Sequence, residues 1–285
     1  MDARFLVVIG TGSGLGCRSS PDFPSRGVNG PPAPASFPTS RSNHCLTGTQ
    51  PSFRVRLTSG DCAHTGGMEN QEYVSTDRLT VAQWTQKLAQ ATGRPGGGAG
   101  SGVMLSMAAA LTSMVAGYSE SADSGGETER IKLRAEVLRG QSLSLADEDA
   151  ACSKAFGEAF STPQGPARSA AIREAALTAA ESSAAIGEKA AEVIPDLQWL
   201  AEHGNPALVA DIVVALGALR AAVSGTRANV RYDLSIVRAH RTAAQGADES
   251  ADLLEAIERF DSSLRRIDAL SAEIDTRIVD RLSGD

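Results

Sequence analysis

Aromatic residues are scarce in this 285-residue chain, at 4% beside a hydrophobic share of 42%. Any core must therefore be built from aliphatic and small side chains. Cysteine is nearly absent: of four residues, Cys17, Cys45 and Cys62 lie early and only Cys152 lies further on. No Cys-x-x-Cys pair or Cys/His cluster with ligand spacing occurs, which excludes a disulfide framework and a structural zinc site. No metal is expected, and a cytoplasmic, reducing compartment is the simplest setting. Before Met68 there is neither Glu nor Lys, while Pro, Gly and Ser crowd into runs such as Gly30-Pro31-Pro32-Ala33-Pro34. Such a stretch cannot present a periodic apolar face. Residues 1–67 are expected to be a disordered N-terminal extension, explained most simply by a start codon placed upstream of Met68. Phe5-Leu6-Val7-Val8-Ile9 is too short for a signal-peptide core. Positive charge is also short, leaving a formal net charge of −7, and an acidic chain lacks the basic face that nucleic acid requires. A long hydrophobic run is missing too. Gly102 to Tyr118 is almost wholly apolar but falls short of the roughly 20 residues a bilayer demands, so a buried central helix is expected and no membrane partner.

From Met68 onward Ala, Leu, Glu, Arg, Ile and Val dominate, a helix-forming palette. Val81, Trp84, Leu88 and Ala91 place a first helix over Thr80–Ala91, ending at Gly93. The buried helix follows. A third begins near Glu127, with Gly140 expected to break or kink it before Asp147–Phe160. Ser161-Thr162-Pro163 stops and restarts the chain into an Ala-rich helix over 167–191, and Pro195 is placed to kink its continuation. Gly204-Asn205-Pro206 opens a helix running to Val237. The last, over 251–282, carries Leu253, Ile257, Phe260, Leu264, Ile267, Ile274 and Ile278 in steps of three and four. Nothing alternates with period two. The expected fold of 68–285 is all-α, an up-and-down bundle of about six helices whose long apolar stripes favour a dimer.

Three motifs are decoys. Gly10-Thr11-Gly12-Ser13-Gly14-Leu15-Gly16 has Leu where a dinucleotide fingerprint needs its third glycine. Gly97 to Gly102 has phosphate-loop spacing, but Val103 and Met104 replace the Lys and Ser/Thr. His44 and His64 have no ligand partners. The Pro95-Gly96-Gly97-Gly98 loop is different. Its unshielded N–H groups adjoin the positive end of the buried helix and suit an anion, although the glycines serve equally well as caps or close-packing positions. On the helix from Pro206, Asp211, Ala215, Ala218, Ala222, Gly225, Asn229 and Asp233 share one face at about 100° per residue. That pattern describes either a ligand groove or tight helix packing around a satisfied Asp. Arg220, Arg227, Arg231 and Arg238 form the opposite stripe, expected to be solvated or paired with the neighbouring acidic helix.

In order, Arg94-Pro95-Gly96-Gly97-Gly98-Ala99, Asp147-Glu148-Asp149-Ala150, Leu200-Ala201-Glu202-His203-Gly204-Asn205 with Ala210-Asp211, and Asn229-Val230-Arg231-Tyr232-Asp233-Leu234 resemble the signature segments of the cyclodeaminase/cyclohydrolase family. The resemblance covers about Arg78 to Leu282. It implies an all-α homodimer, without a cofactor, acting on tetrahydrofolate one-carbon units. The two reactions it implies are closure of 5-formiminotetrahydrofolate to 5,10-methenyltetrahydrofolate with loss of ammonia, and hydrolysis of the methenyl form to 10-formyltetrahydrofolate. By the same resemblance Asp211 is the general acid/base, and Pro95, Gly96, Gly97, Gly98, Asn205, Asn229 and Asp147 contact substrate. The chain departs from the family at Gly93, where a loop Pro is usual, at Ser183 (often Pro), at Ala210 (Ser) and at Asp233 (Asn). The changes at Ala210 and Asp233 support the alternative, a non-catalytic helical dimer serving as a folate-binding or assembly module.

Overall fold

The computed structural model describes residues 74–119, 125–241 and 250–283. The chain divides into two units, Met1–Gly67 and Met68–Asp285, and the described residues belong to the second. The glycines at 10–16, His44, His64 and the three early cysteines lie outside them. Seven α-helices run in order: α1 (Val81–Leu88), α2 (Gly97–Gly117), α3 (Glu127–Ala159), α4 (Pro166–Ala191), α5 (Ile194–His203), α6 (Val209–Ala239) and α7 (Ala251–Ser283). Short 3-10 turns precede α1 and α6, and the described residues contain no strand. Helices α2, α3, α4 and α6 form the centre, α7 packs over α4 and α6, and α5 closes one end.

Local chemistry explains most boundaries. Thr80 caps α1 through a reciprocal bond with Gln83, which fixes where the helix starts. Pro166 occupies the first turn of α4, and Pro195 opens α5 rather than kinking a continuous helix. Two expectations fail. Gly140 does not break α3, which runs unbroken for 33 residues. Its position is exposed and a glycine there costs only about 1 kcal/mol, less than the packing of α3 against α2 and α4 returns. The glycines before the buried helix are not all loop, because Gly97 and Gly98 form its first turn.

The centre is made of small residues, so backbones come close. A Cβ on Gly102 would stand 2.8 Å from that of Ala146, which sets the α2–α3 spacing. On the far side, Phe260 of α7 is fully buried and fills the gap left by Gly187 of α4, where a Cβ would meet its ring at 2.5 Å. The arginine stripe of α6 turns to α7: Arg220 pairs with Asp268 at 2.6 Å, and Arg227 and Arg231 both pair with Asp261. Helix α2 and the run 206–239 are long and apolar enough to cross a membrane. Both contribute buried faces to the bundle, and each keeps an uncovered apolar stripe. On α2 that stripe includes Met104, Met107 and Met114, and on α6 Val214.

Candidate functional site

The first turn of any helix leaves N–H groups without intrahelical partners. At the start of α2 they belong to Gly97, Gly98 and Ala99, and the carboxyl of Asp149 from α3 lies directly against them. An ideal Cβ on Gly98 would sit 2.1 Å from Asp149 Oδ1 and 2.4 Å from its Cγ. Only glycine lets the carboxyl lie there. Ser183 of α4 donates to Oδ1 at 3.1 Å. Burial pushes the Asp149 carboxyl up, and the Ser183 hydroxyl, the Ala99 N–H and the Ser153 hydroxyl pull partly against it. Its Oδ2 is buried with no hydrogen-bond partner among the described residues.

A second carboxyl comes from α6. Asp233 is 7% exposed, and burial, reinforced by the charge of Asp149, pushes it up to about 7. No basic group is among the influences that set either carboxyl. The pair therefore holds a proton close to neutrality. One helical turn before Asp233 lies half-buried Asn229, and one turn before that Gly225, whose Cβ would meet Ser101 Oγ at 2.4 Å. Four helices thus contribute to one buried cluster of two acids, hydroxyls and helix-start N–H groups. Its chemistry suits proton exchange and cation recognition.

A stability prediction follows from the raised Asp233. Its unfolded value is near 3.8, so between there and about 7 the folded state holds a proton that the unfolded chain has lost. Folding stability then falls as pH rises across that window. Asp233→Asn removes this slope. The variant is expected to melt several degrees above the wild type at pH 8, with the gap closing by pH 4; a constant difference across the range would refute the buried, protonated pair.

The residues singled out from sequence divide between two ends of the molecule. Pro95, Gly96, Gly97, Gly98 and Asn229 lie at the start of α2 or on the Asp233 face of α6. Asp147, two residues from Asp149, faces elsewhere. Its carboxylate accepts from Ser75 Oγ at 2.6 Å and from the Thr76 N–H and hydroxyl at 3.0 and 2.5 Å, fastening the segment before α1 to α3. Asn205 caps the turn before α6: its Oδ1 accepts from the Ala207 N–H at 3.0 Å, and its own N–H donates to Ser119 Oγ at 2.8 Å. Asp211 is half-exposed in the first turn of α6. At 1.5 Å per residue it stands about 33 Å from Asp233 along the same helix. One chain does not unite them. Asp149 and Ser183 were missed as site residues, yet a signal existed: Asp149 is three residues from buried Ala146 and adjoins buried Ala150, so it shares the core face of α3, whereas Asp147 does not.

The fold and this site define a helical protein with a buried acid pair under a glycine-rich helix start. Residues 80–252 match the Formiminotransferase-cyclodeaminase family, and the chain belongs to that family. It is 26% identical over 204 residues to the methenyltetrahydrofolate cyclohydrolase of Methylorubrum extorquens, spanning 68% of this chain and 93% of the relative. The crystal structure of formiminotetrahydrofolate cyclodeaminase from Thermotoga maritima shares the fold, with a TM-score of 0.61 and 24% identity over 71% of this chain and 98% of that one.

Proposed function

We propose that this protein acts on the one-carbon unit of a tetrahydrofolate, by deaminating ring closure of 5-formiminotetrahydrofolate or by hydrolysis of 5,10-methenyltetrahydrofolate. The observation that carries the reading is the Asp149–Asp233 pair beneath the glycine turn, inside the stretch that matches the family. In ring closure the 10-nitrogen bonds to the formimino carbon, the bond from that carbon to its terminal nitrogen breaks, and the proton of the 10-nitrogen leaves with ammonia. A pair that holds one proton near neutrality can give it to the departing nitrogen and regain one from the attacking nitrogen. In hydrolysis water attacks the methenyl carbon in place of the 10-nitrogen, and the bond from that carbon to the 5-nitrogen breaks. Of the two water protons, one goes to the 5-nitrogen and the other is released through the pair. The substrate comes from solution, no cofactor is involved, and the setting is a cytoplasm free of nucleic-acid or membrane partners.

Asp211 and Asn205 enter this reading through a homodimer. The uncovered stripe on α2 runs from the glycine turn to Tyr118, which adjoins Asn205. Two-fold pairing along it is isologous, and laying α2 antiparallel to its copy sets the Asn205–Asp211 end of one subunit beside the Gly97–Gly98 end of the other. Asp211 would then serve as a general acid/base from across the interface. Met107→Glu places a charge at the centre of that stripe. It is expected to give a folded monomer by light scattering with turnover at least tenfold lower, and a monomer with full activity would rule out the shared site.

The test of the function is turnover by the full-length protein, followed through the methenyl absorbance, with either compound as substrate. Loss from the methenyl form or gain from the formimino form supports it. A folded dimer that changes neither compound overturns it. The enclosure of Asp149 Oδ2 favours one second reading, a folate-binding module without turnover, which tight folate binding in that inactive dimer would establish.

A further inference from the structure

We propose that the Asp149–Asp233 pair is a subsite for a protonated nitrogen group that carries N–H donors, an amidinium or ammonium, and so selects the ammonia-releasing reaction. This rests on the folate reading for its substrate but not for its chemistry. Asp149 is 4% exposed and its Oδ2 lacks any hydrogen-bond partner among the described residues. A buried acceptor left unmade costs about 1–3 kcal/mol, more when charged. The donors at hand are one serine hydroxyl from α4, another from α3 and one backbone N–H from α2, too few for four carboxyl oxygens. No basic group is among the influences that raise either carboxyl, and Cys152 close by has its thiol pushed up by burial. What the pair lacks is a cation with hydrogen-bond donors.

A protonated formimino group carries two N–H bonds on its terminal nitrogen, which diverge and so offer one donor to each of two carboxyls. The methenyl cation carries the same charge, but both nitrogens at its reacting carbon are fully substituted, so it offers the pair no N–H. Sites built to hydrogen-bond a donor reject analogues that lack it far more strongly than apolar pockets reject a missing methylene. The first turn of α2 beside Asp149 carries no side chain at Gly97 or Gly98, and a Cβ on Gly97 would meet nothing within 4 Å. Asp233 is what sets this chain apart. An Asn there would offer one oxygen and two competing donors.

The test uses the full-length protein and formamidinium chloride, with tetramethylammonium chloride at equal ionic strength as a cation without N–H. Formamidinium is expected to raise the melting temperature of the wild type at pH 7.5 and tetramethylammonium is not; Asp233→Asn and Asp149→Asn are each expected to weaken formamidinium binding at least tenfold. Equal stabilisation by both cations, or unchanged binding in both variants, overturns the subsite. Turnover separates the two levels. The wild type is expected to favour the formimino over the methenyl substrate by at least tenfold in kcat/KM, and Asp233→Asn to narrow that ratio. Faster methenyl hydrolysis overturns the selectivity while leaving the folate reading intact. Formamidinium binding with no turnover of either folate keeps the subsite and removes the folate reading.

Discussion

Gly98→Ala is expected to lower turnover on the order of 100-fold, the size of effect that misplacing a reacting group by about 1 Å produces. The added Cβ would stand 2.1 Å from Asp149 Oδ1, and an ordinary contact needs well over 3 Å. Something has to give by more than an ångström. The helices cannot simply part, because one turn further along Gly102 rests against Ala146, where even a single Cβ would be too close at 2.8 Å. The carboxyl must swing away, losing the Ser183 bond and its place beside Ala99. A stability loss of about 1–3 kcal/mol accompanies the overpacking. Steady-state kinetics and a thermal melt of the same preparation measure both effects. Gly97→Ala serves as the stability control, since its Cβ meets nothing. Wild-type kinetics in Gly98→Ala would show that the site lies elsewhere.

The largest effect on folding is expected from Phe260→Ala. The ring is fully buried and, among the described residues, is the one large aromatic in the set of completely enclosed side chains. It joins α7 to α4 and α6 by filling the space above Gly187 and beside Thr226. Removing it leaves a cavity among helices already held apart by their own small residues, and such truncations cost about 3–5 kcal/mol. Against a typical total of about 5–15 kcal/mol, that is a large fraction. Urea denaturation measures it directly, and a loss below about 1 kcal/mol would mean that α7 docks without this contact. Gly187→Ala is expected to cost about 1–3 kcal/mol by overpacking the same gap. Combined with Phe260→Ala its effect should nearly vanish, because the two positions share one space.

The helices were legible because their apolar residues keep helical spacing. In α7, Leu253, Ile257, Phe260, Leu264, Ile267 and Ile274 are all buried, and Arg220, Arg227 and Arg231 opposite the small face of α6 do meet acids of α7. Gly140 misled because an isolated glycine is a weak breaker when both neighbouring faces of the helix are packed. The glycine turn could be seen as special in the sequence, but not why: the reason is Asp149, 51 residues further on, and that proximity exists only once α2 lies on α3. The same holds for Asp211 and Asp233. Periodicity places them correctly on one face, yet a face has length, and about 33 Å separates them. Ser183 stood out only as a departure from a family pattern; its bond to Asp149 is a tertiary fact. Asp147 and Asp149 differ by two residues and so by slightly more than a half-turn, enough to make one a tether and the other part of the acid pair.

The most direct test is the rate at which the full-length wild type and Asp149→Asn turn over 5-formiminotetrahydrofolate and 5,10-methenyltetrahydrofolate, measured beside their melting curves. Turnover by the wild type, reduced at least 100-fold in a variant that still melts cooperatively, is the expected result. An Asp149→Asn protein that works at the wild-type rate on either compound would contradict the assignment of the acid pair as the working site.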